Sequence, residues 1–189
     1  MITINDIVAA SHLFVAQHVR RGDTVVDATA GNGHDTLFLA RLVGAGGKVH
    51  AFDIQETALE KTRALLVAHT CEQWVELHLK DHGELAQVVE GPVQAAMFNL
   101  GYLPGGDKQI TTHAHSSLRA LANCLGVLAP GGIISVVTYS GHRGGEEEEA
   151  EVAGWCRSLP ARDYTVVSFS LINKPNRPPK LWLIRRQER

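Results

Sequence analysis

From residue 24 to residue 138 the chain alternates short β-branched or apolar runs with longer stretches of helical period. Runs of this kind, separated each time by a helix, cannot pair as hairpins; they read as a parallel sheet buried under helices on both faces. The runs fall at residues 24–27, 48–53, 74–79, 93–98 and 133–138. Helical periodicity covers roughly 4–19, 35–43, a segment ending near 68, a short stretch at 83–89, and 112–128, which should stop at Pro130-Gly131-Gly132. An acidic helix follows the Gly-rich link 141–145 and ends near Leu159. The C-terminal part differs: runs at 164–171 and 181–186 are joined by a Pro-rich segment too short for a crossover helix, which predicts an antiparallel hairpin. The expected fold is a doubly wound, Rossmann-like α/β sheet of seven mostly parallel strands ending in that hairpin.

At 189 residues, 44% hydrophobic and 20% charged, the chain can bury a real core, and a single domain spanning 1–189 is expected. The formal net charge of −2 excludes a globally basic nucleic-acid coat. No apolar run approaches the roughly 20 residues of a membrane span, and the N-terminus lacks a basic-then-apolar leader, so a cytoplasmic protein with no membrane partner is expected. Cys71, Cys124 and Cys156 are odd in number and form no CxxC pair, the pattern of buried small hydrophobes. His113 and His115 diverge at a helix start, and His78 and His82 span a strand end, so no metal site is expected.

The sharpest local pattern is Asp27-Ala28-Thr29-Ala30-Gly31-Asn32-Gly33-His34-Asp35-Thr36, between the first strand and its helix. Gly31 and Gly33 permit a tight turn and close approach of a ligand to the backbone. Twenty residues beyond Gly33, Asp53 ends the second strand, where a carboxylate can accept from both hydroxyls of a ribose. An adenosine-type cofactor fits this pair of features. A dinucleotide fingerprint would need a small residue at Thr36 and would set a pyrophosphate beside Asp35, which counts against NAD.

The loop instead resembles the first motif of class I S-adenosylmethionine methyltransferases, with Asp27, Gly31 and Gly33 matching and Thr29 in place of the first glycine. The resemblance implies that Asp27 meets the cofactor's ammonium end directly or through water, that Gly31, Asn32, Gly33 and Asp35 belong to the cofactor-binding loop, and that Asp53 holds the ribose with Gln55 next to it. Asp81 and His82 would flank the adenine. After the fourth strand, Asn99-Leu100-Gly101-Tyr102 is similar to the N-P-P-Y motif of amine-directed methyltransferases, with Leu-Gly replacing Pro-Pro. There the Asn amide oxygen accepts from the target amine and the aromatic ring stacks on the base, so orientation is the main contribution.

The longer string, from Asn99 to Lys108 with the segments 141–145 and 173–179, resembles the small bacterial methyltransferases labelled rRNA methylases. Members of that family are tRNA 5-(aminomethyl)-2-thiouridine methyltransferases. The resemblance implies methyl transfer from S-adenosylmethionine to a wobble uridine in a tRNA anticodon loop. Asn99, Tyr102 and His142 are then the catalytic candidates, Asn99 also counting among the cofactor-binding residues, and Gly101, Tyr102, Asp107, Lys108 and Arg177 the substrate-binding ones. The amine must lose a proton before attack; Asn99, Tyr102, His142 and Asp107 are all candidates to receive or orient it. An rRNA or small-amine methyltransferase and a nucleotide-binding oxidoreductase stay open as alternatives, as does a homodimer.

Two charged segments remain. Glu146 to Glu149 open the acidic helix and read as a solvated face complementing its dipole. The C-terminal residues 174–189 hold Lys174, Arg177, Lys180, Arg185, Arg186 and Arg189 against Glu188 alone, either an ordinary tail or a contact for RNA phosphates, with Arg177 and Lys180 nearest the active edge.

Overall fold

Seven strands form one sheet in the order β3-β2-β1-β4-β5-β7-β6 in a computed structural model that describes all residues except 1–5, 107, 108, 110, 143 and 189. They are β1 (Thr24–Asp27), β2 (Lys48–Asp53), β3 (Val75–Leu79), β4 (Val93–Leu100), β5 (Leu128–Thr138), β6 (Tyr164–Phe169) and β7 (Lys180–Arg186). The first five run parallel, whereas β7 is antiparallel to both β5 and β6. The expected C-terminal hairpin is therefore present, with its second strand inserted next to β5.

Successive residues of a strand face opposite sides, and the two sides carry different helices. Val25, Val49, Ala95 and Met97 pack beneath α1 (Ile7–Ala16), α2 (His34–Val43) and α3 (Glu56–Ala68). Val26, Ala96, Phe98 and Ile134 pack beneath α4 (Ala114–Val127), α5 (Gly145–Ser158) and the 3-10 helix His82–Gln87. Double-sided burial explains why β4, at the centre, reads as an almost unbroken apolar run. The connections of β1 and β4 leave toward opposite edges of the sheet, and ligand crevices of open α/β sheets form at such a switch point.

Two boundaries differ from the sequence reading. The first helix begins later, capped by the Asp6 carboxylate, which accepts from the Val8 and Ala9 amides at 3.0 Å each. Pro130-Gly131-Gly132 does not precede β5 but bulges within it: Val93 pairs with Leu128, and the next pairing is Ala95 with Ile133. Glycine makes this feasible, since Gly131 adopts a φ of +75° and a Cβ on Gly132 would approach the Gln94 carbonyl to 3.0 Å. Among the described residues, no helix is long and apolar enough to cross a membrane.

Candidate functional site

A cleft opens at the carboxyl ends of β1, β2 and β4, and the loop after β1 forms its floor. Gly31 and Asp53 are linked directly there, because the Gly31 amide donates to Asp53 Oδ2 at 2.9 Å. The Gln55 amide donates to the other oxygen, Oδ1, at 2.9 Å. Two backbone donors thus fix the carboxylate plane and leave its remaining lone pairs toward the cleft, which Gly31, Asp53 and Gln55 all line.

Gly33 has a different task. Its φ is +85°, and a Cβ would sit 2.8 Å from Thr62 Cα, so the residue seats α2 against α3 rather than lining the cleft. Asn32 ties the loop to the cleft's other side, its Nδ2 donating at 3.3 Å to the carbonyl of Pro104, which lines the cleft.

Asp27, expected to meet a ligand's ammonium group directly or through water, is turned into the fold. It is fully buried and absent from the cleft wall, because both oxygens are used inside the loop. Oδ1 accepts from the Thr29 amide at 3.1 Å, and Oδ2 from the Thr36 hydroxyl at 2.6 Å. Burial, reinforced by the negative charge of Asp35, pushes its carboxyl up to about 7. Thr36, which argued against a dinucleotide fingerprint, is thus the partner that holds this carboxyl.

The opposite wall begins at Asn99. Its amide N–H donates to Thr29 Oγ1 at 2.8 Å, tying β4 to the loop after β1. Its side-chain Nδ2 donates to Asp35 Oδ2 at 2.5 Å, and Asp35 Oδ1 lies 2.6 Å from His12 Nε2. A carboxylate only accepts, so Asp35 selects the nitrogen half of the Asn99 amide and makes Oδ1 the half available to the cleft. The same rule puts a proton on His12 Nε2. Stacked on Phe38 at 3.9 Å, the His12 ring holds Asp35 from the far side. Asp35, 7% exposed, thereby fixes the orientation of Asn99 from behind the cleft lining. Nothing in the spacing of α1 singled out His12; the contact exists only because α1 packs across the sheet.

Beyond Asn99 the chain makes a loop pinched at its base. Gly101 O accepts from the Thr112 amide at 2.9 Å and the Thr111 hydroxyl at 3.0 Å, and Tyr102 bridges Thr111. Tyr102, 37% exposed, stands at the rim with the His142 ring edge-on at 6.0 Å. The structure therefore brings His142 to Tyr102 and Thr111, behind the rim. Asp107 and Lys108 lie outside the described residues.

Glu146 and Glu147 are exposed, as a solvated face requires, but Glu148 departs from that reading. It is 2% exposed and accepts from Thr112 Oγ1 at 2.7 Å and Ser117 Oγ at 2.6 Å, so α5 anchors the loop's return. Its neighbour Glu149 takes Lys180 at 2.6 Å. Arg177 pairs with Glu146 at a second cleft that Ser140 and Leu171 also line.

On the third side stand Asp81 and His82. Asp81 accepts from the Gly83 amide at 2.7 Å and from Arg119 at 3.2 Å. His82 Nδ1 lies 3.1 Å from the Ala28 carbonyl and must donate to it, which leaves Nε2 as a lone-pair acceptor. That nitrogen is buried without a hydrogen-bond partner, and burial holds the ring's pKa below its usual value, so the acceptor is neutral. An unsatisfied acceptor on a cleft wall is what a ligand N–H or O–H would complete.

Comparison with known proteins gives this architecture a family. The family model described as "Putative rRNA methylase" matches residues 49–185. A curated relative, the chloroplastic tRNA (mnm(5)s(2)U34)-methyltransferase of Arabidopsis thaliana, is 39% identical over 94% of this chain and 68% of its own length. The chain belongs to this family of S-adenosylmethionine-dependent methyltransferases. Among solved structures, one from Clostridium thermocellum described as a "putative rRNA-methylase" superposes on this methyltransferase with a TM-score of 0.95 at 40% identity, covering 97% of this chain and 99% of its own. A Streptococcus mutans methyltransferase in complex with S-adenosylhomocysteine gives a TM-score of 0.89 at 35% identity, covering 98% and 99%.

Proposed function

We propose that this methyltransferase transfers the methyl group of S-adenosylmethionine to the aminomethyl nitrogen of 5-(aminomethyl)-2-thiouridine at the wobble position of tRNA. The observation that carries the reading is the fixed amide of Asn99, clamped through Asp35 and His12 so that an acceptor oxygen stands on the cleft wall near Tyr102. The name of the Arabidopsis relative supplies the substrate class.

The residues fit the cofactor by chemistry. Asp53 offers its carboxylate to the ribose hydroxyls, and the orphaned His82 Nε2 offers an acceptor to the adenine amino group, with Asp81 and Gln55 beside them. Gly31 exposes backbone to the amino-acid portion. When bound, the cofactor supplies an electrophilic methyl on a cationic sulfonium.

Asn99 Oδ1 accepts from an N–H of the target amine and so aims the nitrogen lone pair, while Tyr102 at the rim stacks on the uracil ring. Holding nucleophile and methyl in line is worth several kcal/mol by itself, so a site without a strong base can still be effective. His142 supports the Tyr102 ring edge-on. The cleft reads a small target: Tyr102, Leu103, Pro104, Gln109 and Thr111 line its rim, and an unstacked anticodon base is the form of RNA such a rim can receive.

The test is nucleoside mass analysis after incubating the enzyme and isotopically labelled S-adenosylmethionine with tRNA from cells lacking the modification. The expected product is 5-(methylaminomethyl)-2-thiouridine carrying the label. Label in rRNA or in a free amine, with none in that nucleoside, would overturn the proposal.

A further inference from the structure

The outer edge of the sheet carries a cluster that the methyl-transfer site does not use. His50 on β2 lies directly opposite Glu76 on β3, and His78, two residues further along β3, is on the same face, opposite Phe52. Spacing along the chain pairs His78 with His82; the sheet pairs it with His50 instead.

Three ligand-type atoms converge there. His50 Nδ1 is 3.1 Å from His78 Nε2 and 3.4 Å from Glu76 Oε2, and the three groups present one atom each within 4.8 Å of one another. Metal–nitrogen and metal–oxygen bonds of about 2.0–2.2 Å in a tetrahedron place neighbouring ligand atoms about 3.3 Å apart, close to the two separations found. The proton inventory points the same way. His50 Nδ1 and His78 Nε2 face each other, so without a metal one ring must present its N–H to the other, whereas in the opposite tautomers both nitrogens turn lone pairs toward the carboxylate oxygen's position. A divalent ion satisfies all three together.

We propose that His50 Nδ1, Glu76 Oε2 and His78 Nε2 form a binding site for a divalent transition-metal ion of the zinc type, with a fourth position open to solvent. Two imidazoles and one carboxylate select zinc, cobalt or nickel over magnesium or calcium, which prefer all-oxygen shells. His50 is 5% exposed, whereas the Glu76 side chain is 49% exposed, so an ion enters from the Glu76 side. The bound ion ties β3, the edge strand, to β2. It lies behind the methyl-transfer cleft: the His78 ring stacks on Phe52 at 4.7 Å, and Phe52 lines that cleft.

Lys48 gives the site a built-in diagnostic. Its ammonium holds Glu76 Oε1 at 2.7 Å, leaving Oε2 for the metal while placing a positive charge nearby. Removing that charge should favour a cation. The experiment is titration of chelator-treated enzyme with cobalt(II), read by visible d–d absorption, and with zinc(II), read by calorimetry. The variants are Lys48→Ala, Glu76→Gln and His78→Ala, all at exposed or half-buried positions and each checked for folding by circular dichroism. The wild type is expected to bind one ion per chain. His78→Ala and Glu76→Gln should each lose at least about tenfold in affinity, and Lys48→Ala should bind at least as tightly as wild type. Wild type that takes up no stoichiometric ion overturns the proposal. So does His78→Ala binding as tightly as wild type, since the ion would then sit on other histidines. Neither readout involves RNA, so failure here is separate from failure of the tRNA assignment.

Discussion

Replacing Asp27 by Asn removes a buried ionisable group while nearly preserving its shape. In the folded protein the Asp27 carboxyl is pushed up to about 7 from its usual 3.8, chiefly by burial and then by Asp35. Below about pH 4 both folded and unfolded chains hold this proton; between about 4 and 7 only the folded chain does; above 7 neither does. The folded state therefore binds more protons through that window, and stability conferred by Asp27 is lost as pH rises. A displacement of roughly three pH units at 1.36 kcal/mol each amounts to about 4 kcal/mol. For a chain of this size about 2–4 °C of melting temperature accompanies each kcal/mol, so the difference between Asp27→Asn and wild type should change by about 10 °C from pH 4.5 to 8.5. The variant should gain on wild type toward alkaline pH. His50, His78 and His82, whose pKa values burial lowers, act with the opposite sign but are present in both proteins and cancel in the difference. The assay is differential scanning fluorimetry of the two ligand-free proteins across that range. Curves that stay parallel within 1–2 °C would refute the account of Asp27 as a buried, proton-holding carboxyl.

Other perturbations separate the remaining roles. Asn99→Ala should lower kcat by about 10–100-fold with S-adenosylhomocysteine affinity little changed, as steady-state kinetics and calorimetry will show. His12→Ala should lower kcat by a smaller factor, and adding it to Asn99→Ala should cost almost nothing more; an additive double variant would break the link through Asp35. Asp53→Ala removes the carboxylate that orders the Gly31 amide, and calorimetry should show S-adenosylhomocysteine bound at least about tenfold more weakly. Glu148→Ala strips the Thr112 and Ser117 hydroxyls of a buried acceptor and should cost about 1–3 kcal/mol in denaturant unfolding.

Strand positions were legible because burial on both faces writes itself as apolar runs: β4 is the clearest case, and the hairpin of β6 and β7 follows from a connection too short for a helix. The bulge at Pro130-Gly131-Gly132 was not legible, since those residues punctuate a chain equally well between elements or within one. Near the cleft, spacing after β1 and β2 was enough to put Gly31 and Asp53 on one wall, and the end of β4 to put Asn99 opposite. Asp27 and Asp35 flank that loop, at the end of β1 and the start of α2, and both carboxyls are turned inward by hydrogen bonds that leave no trace in spacing.

The sequence by itself determined the layers of the fold, the edge of the sheet where a ligand sits and the residue types available there, since hydrophobic period and turn chemistry are local properties of the chain. Tertiary structure alone decided which polar groups meet: His12 reaches Asp35 across 23 positions, Ser117 and Thr112 reach Glu148 across 31 and 36, and His50 meets His78 across 28. Those pairings depend on helix packing angle and strand register, which are set by the whole core, and a hydrogen bond exists only once both partners have been placed within about 3 Å.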